Sequence, residues 1–169
     1  MSNPLREQMH PTAAGTIVGG GLVAGALDIT DAIVFYHFRG VPAVSILQSV
    51  ASGLLGASAY EGGARTAMLG LLLHFMIAIG AATVFYLASL RVRFLWRQPL
   101  ISGAIFGLCV YLVMNHVVLP LSAFAVRPFQ VNAVFFNLLF AHVFCVGWPI
   151  AIASRLSARG RGLALAGRP

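Results

Sequence analysis

Long apolar runs separated by short arginine-bearing connections set the pattern of this chain. Four runs, residues 13–38, 64–90, 99–124 and 132–154, are long enough to cross a bilayer as helices. A helix rising 1.5 Å per residue needs about 20 residues to traverse roughly 30 Å of hydrocarbon. The pattern predicts an all-α membrane protein, a four-transmembrane-helix bundle formed by residues 13–157 as one domain. Residues 1–12 form a cytoplasmic N-terminal segment, and residues 158–169, "ARGRGLALAGRP", a basic cytoplasmic tail expected to be disordered. The first run exceeds a signal-peptide core and has no convincing cleavage site at its far end, so it reads as a retained span.

The connection after the first run is not a simple loop. Residues 42–58, "PAVSILQSVASGLLGAS", place Ser45, Gln48, Ser49, Ser52 and Gly56 near a helical repeat. Ile46, Leu47, Val50, Leu54 and Leu55 fall on the other faces, and Pro42 suits a first helical turn. This predicts a short amphipathic helix in the first outer loop, lying in the interface or dipping part-way into it. Two uses stay open: an interfacial helix without chemistry, or a lid over a pocket.

Small residues recur at four-residue spacing and predict where the spans approach closely. The stripes are Gly21, Gly25 and Ile29; Gly70, His74 and Ala78; Gly103, Gly107 and Tyr111; and Asn137, Ala141 and Cys145.

Composition agrees with a lipid environment. Of 169 residues, 59% are hydrophobic and 9% charged, with a mean hydropathy of +0.89. A soluble domain needs more charge than this to cover its surface. All eleven basic residues are arginine, and they gather at the ends of the apolar runs. The +7 charge is therefore a topology signal and no argument for nucleic acid, although it can attract anionic head groups. Arg6, Arg91, Arg93, Arg97, Arg155, Arg159, Arg161 and Arg168 fall on one side; Arg39, Arg65 and Arg127 fall on the other. The positive-inside bias then puts both termini in the cytoplasm. Trp96 and Trp148 suit the cytoplasmic boundary, and Tyr36 and His37 the outer one. Cys109 and Cys145 lack C-x-x-C spacing and read as packing residues. Glu61 and Arg65, four apart, read as an exposed pair worth little. Pro120 and Pro149 are expected to kink or end their helices.

Against this background the polar residues inside the runs stand out. Asp28 and Asp31 lie in the first run, His74 in the second, Asn115 and His116 in the third, Asn137 and His142 in the fourth. Counted from the outer ends, they share a slab roughly 8–15 Å deep. An unpaired ionised Asp at a helix centre costs about 2.5–3.5 kcal/mol on insertion scales, so these groups should face inward and satisfy one another. Asp28 and Asp31, three apart, share a helix face and resist double ionisation unless a cation or imidazolium lies between them.

Three readings fit. A hydrogen-bonded network fixes helix register. A transition metal or haem b is held by His74, His116 and His142, with carboxylates orienting the ligands. Or Asp28, Asp31 and the three histidines relay protons or ions. Asn115, Asn137 and Tyr111 would be the supporting groups. As a whole protein, the leading expectation is a binding or relay protein. Its rival is a structural subunit of a larger membrane complex or homo-oligomer, and an enzyme acting on lipid or quinone comes third. Catalytic signatures such as H-E-x-x-H, G-x-S-x-G, C-x-x-C and the P-loop are absent from the sequence. "DITDA" shares D-x-x-D with the CDP-alcohol phosphotransferases, but the remainder of that signature is missing.

The order of features resembles the YagU-like family of small bacterial inner-membrane proteins, which has no assigned function. The likeness runs through "GLVAGALD", "HFMIAIGAATVFY", "PLISGAIFGLCVYLVMNHVVLPLSAF" and "NLLFAHVFCVGWPIAIASR", most of residues 21–155. His74, His116 and His142 are the positions that match; Asp28 and Asp31 depart from the family pattern, and the outer loop is shorter. The resemblance implies a multi-pass protein of the bacterial inner membrane.

Overall fold

The structure is a computed structural model that describes residues 12–125 and 130–166, with side chains through residue 160. The N-terminal segment with Arg6, and the positions Arg127 and Arg168, lie outside the described residues.

Every regular element among the described residues is helical. Helix α1, Ala13–His37, starts where Thr12 Oγ1 accepts the Gly15 N–H at 3.0 Å. It stops before Gly40, whose φ of 76° a residue with a side chain rarely adopts. Helix α2, Ala43–Leu55, follows Pro42 directly and tightens into a 3₁₀ segment, Gly56–Tyr60. The long α3, Gly63–Arg91, gives way to a short α4, Arg93–Arg97. Pro99 occupies the first turn of α5, Pro99–Leu121. In the last helix, α6, Asn132 caps the start by accepting the Val134 and Phe135 N–H groups at 2.9 and 3.2 Å. Its pieces are Ala133–Phe140, Ala141–Gly147 and Trp148–Ala166.

Among the described residues, five helices are long and apolar enough to cross a membrane by length and composition. They are α1, α3, α5, α6 and the stretch Ala43–Tyr60, expected from the sequence to be too short to span. Large apolar side chains such as Leu22, Leu72, Met76 and Leu112 are exposed, the inverse of a water-soluble domain and the surface a lipid solvent requires.

Both prolines adjoin a local change in helical winding, and α5 ends one residue after Pro120. Wide turns of the helix, Met114–Val118 and Ala141–Gly147, end two residues before Pro120 and Pro149. Proline removes a donor and crowds the carbonyl four residues back, and a wide turn lets the helix pass that point without breaking. Helix α5 then ends at Leu121, short of the expected residue 124, as Ser122 turns extended and its Oγ donates to Leu119 O at 2.8 Å. Conversely, α6 runs on through Ala166 instead of ending near 154, so most of the tail expected to be disordered is helical backbone. Its leucines and alanines favour that continuation.

Glycines set the pairing of helices. A Cβ on Gly21 would strike Ile79, and one on Gly25 would strike Phe75, so α1 and α3 run antiparallel in close contact. One on Gly20 would meet Ala153, and Asp31 bonds Asn137, so α6 runs antiparallel to α1 as well. Gly103 and Gly107 of α5 lie against Gly147 and His142 of α6, again antiparallel. Ala24, Ala82, Phe85, Val146, Ile150 and Ala151 form the core between these contacts. Phe85 meets Phe106 edge-on with ring centroids 5.0 Å apart.

Since α1 and α3 are antiparallel neighbours, the end of α1 and the start of α3 lie at one end of the bundle. Helix α2 joins those two ends. Buried Gln48 donates through Nε2 to Gly63 O at 3.1 Å and to Thr66 Oγ1 at 3.3 Å. The backbone at Leu47 and Ala51 presses on Gly70, and Gly53 O accepts the Ala123 N–H at 2.9 Å. At the opposite end Trp148 Nε1 donates to Leu100 O at 3.1 Å, and Arg155 to Arg97 O at 3.5 Å. Glu61 precedes α3 and is not part of a helical turn with Arg65; both are exposed, and the described residues hold no ion pair between them.

Candidate functional site

The polar residues form two tiers below the end capped by α2. Counting back along each helix at 1.5 Å per residue, Asp31 and Asn137 sit about 6–9 Å from their helix ends, and Asp28, His74 and His142 about 13–16 Å. Both aspartates lie on the side of α1 that faces α3 and α6.

In the upper tier, Asn137 Nδ2 donates to Asp31 Oδ2 at 2.8 Å. In the lower tier, His74 Nε2 lies 2.9 Å from Gly25 O and 3.9 Å from Asp28 Oδ2. A carbonyl can only accept, so His74 Nε2 carries the hydrogen, and the carboxylate lies just beyond direct bonding range. Both side chains are largely covered, with 13% of His74 and 23% of Asp28 exposed. This is the sole contact of ion-pair range among the described residues.

His142 enters from the wide turn of α6. Its Nδ1 donates to Leu138 O at 2.8 Å, which leaves Nε2 as the free ring nitrogen. Tyr111, buried on α5, packs edge-on to the His142 ring at 5.6 Å. Asp28 lies within electrostatic reach of His142, His74 and Asp31, and Cys145 within reach of both aspartates.

Thus Asp28, Asp31, His74, Asn137, His142 and Tyr111 come together. His116 does not. It is exposed on the flank of α5, its Nδ1 donating to Leu112 O in its own helix at 3.2 Å. Asn115 likewise bonds its own helix, through Nδ2 to Tyr111 O at 2.9 Å. Equal depth brought these two into the sequence reading, but depth says nothing about direction around the helix. The wide turn at Met114–Val118 resets that direction.

One participant was missed from sequence. The Gly25 carbonyl is reachable because its residue lacks a side chain, a signal present in the small-residue stripe.

A metal centre finds no support in this donor set. Among the described residues no three His, Cys, Asp or Glu side chains converge as ligands. Haem b fits no better, since axial ligation needs free ring nitrogens on facing helices. His74 Nε2 is bonded to Gly25 O, and His116 points away from His142. What the arrangement offers chemically is a carboxylate beside one imidazole, with a second imidazole and a second carboxylate on neighbouring turns, all partly covered by the bundle.

Comparisons with protein families, with curated proteins and with solved structures return no match.

Proposed function

We propose that this chain is a four-span membrane protein in which Asp28, His74 and His142 exchange protons, with Asp31, oriented by the Asn137 amide, completing a relay toward the outer surface. The observation that carries this reading is the 3.9 Å approach of His74 Nε2 to Asp28 Oδ2. A modest side-chain movement brings the pair into direct bonding, and intramembrane Asp and His chains are a recurrent way to move protons.

The four-span topology is supported by the antiparallel α1–α3 pair. Were Ala43–Tyr60 to cross the membrane, its two neighbours would have to run parallel. Arginine bias alone leaves this open: a five-span chain with its N-terminus outside exchanges Arg6 for Arg39 and keeps the same eight-to-three ratio. With α2 as an outer cap, both termini are cytoplasmic. The resemblance to the YagU-like family supports a bacterial inner membrane.

Proton flux into liposomes containing a pH-sensitive dye tests the relay. Asp28→Asn is expected to reduce flux at least tenfold while helicity and melting temperature stay near wild type. Flux unchanged in that variant would overturn the relay.

One observation favours a second reading, a structural subunit whose polar tiers only align helices: the described residues leave no buried side-chain nitrogen or oxygen without a hydrogen-bond partner. On that reading Asp28→Asn lowers the melting temperature and leaves flux at the level of empty liposomes throughout.

A further inference from the structure

His116 is a polar side chain that the fold leaves on the open flank of α5. It is exposed, five residues and about 7 Å of rise short of Leu121. Its Nδ1 donates to Leu112 O, so in the neutral ring Nε2 is an acceptor with no donor assigned to it among the described residues. Beside it, Asn115 spends one amide hydrogen on Tyr111 O and retains a second. The pair therefore offers one donor and one acceptor from adjacent residues, a self-complementary set.

The same helix is the least covered of the spans. Only 11% of its most apolar stretch is buried inside the fold, against 22–28% for the others. Its open face runs through Ile105, Cys109, Leu112 and His116.

We propose that this face of α5 binds a second copy of the chain across a two-fold axis, with Asn115 of each copy donating to His116 Nε2 of the other. A two-fold interface uses one patch twice, and a patch carrying both a donor and an acceptor satisfies itself in that arrangement. An apolar partner or lipid would leave the imidazole unpaired in hydrocarbon, which is unfavourable. The pairing is independent of the relay.

Counting photobleaching steps of singly labelled protein in phosphatidylcholine bilayers tests it. Wild type is expected to bleach mostly in two steps. His116→Leu should weaken the dimer about tenfold, as expected for losing two interhelical hydrogen bonds. His116→Gln, which keeps an acceptor, should retain it. Cys109→Trp adds bulk to the same exposed face and should dissociate the pair without changing the thermal transition of the protomer. One-step bleaching of wild type, or two-step bleaching of His116→Leu as readily as wild type, overturns the proposal.

Discussion

Asn137 donates to Asp31 at 2.8 Å, joining two helices across 106 residues of sequence. The bond fixes α6 against α1 just below the end of the bundle capped by α2. Removing either partner strands the other in a medium without water. Asp31→Ala and Asn137→Ala are each expected to lower stability by about 1–2 kcal/mol. The double variant should cost less than the sum of both, with a coupling of about 1 kcal/mol in denaturant titrations of micellar protein. Simple additivity would remove the bond from the energetics.

The glycines predict opposite outcomes at sites of identical residue type. A Cβ on Gly103 would lie 2.8 Å from Gly147 O and 3.1 Å from Ala151, whereas Gly80 has nothing within 4 Å. Gly103→Val should destabilise by about 1–3 kcal/mol through overpacking of the α5–α6 contact. Gly80→Ala should be neutral or stabilising, by up to about 1 kcal/mol, because it only restricts the unfolded chain and improves helix propensity. Melting temperatures of the two variants decide the matter.

The placement of α2 makes a topological prediction. Cysteines introduced at Val44 and Tyr60, both exposed and near opposite ends of this segment, should react with a membrane-impermeant maleimide from the same, outer side. The variants are built on Cys109→Ala and Cys145→Ala so that no native thiol competes. Labelling from opposite sides would mean that Ala43–Tyr60 crosses the bilayer.

Gln48 is the polar tie between α2 and α3, buried and bonded to Gly63 O and Thr66 Oγ1. Gln48→Leu keeps the volume and removes both bonds. It should loosen α2 by about 1–2 kcal/mol while leaving the α1–α3 contact at Gly25 intact. Amide exchange should then accelerate across residues 43–60 and remain unchanged in α1. Uniform protection would show that Gln48 does not hold the cap.

The helical runs and their polar residues were legible in the sequence because solvent dictates them. Lipid demands long apolar segments with internally satisfied backbone, and every intramembrane Asp, His and Asn is conspicuous there. The small-residue stripes were legible for a related reason: Gly21, Gly25, Gly103 and Gly107 are all buried at helix contacts. Depth could be counted along each helix, which is why Asp28 and His74, 3.9 Å apart in the structure, fall in one group with His142 by sequence.

Direction around the helix could not be counted. The wide turns before Pro120 and Pro149 each alter the 3.6-residue phase, so the orientation of His116 and His142 depends on local backbone that a regular repeat does not describe. Sequence alone therefore determined the solvent, the helices and the depth of the polar groups. Only tertiary packing decided which of them meet: His142 turns inward against Tyr111, and His116 turns outward. It also set where Ala43–Tyr60 lies in the bundle: length and hydropathy permit a crossing, while the antiparallel packing of α1 and α3 brings both of its ends to one end of the bundle.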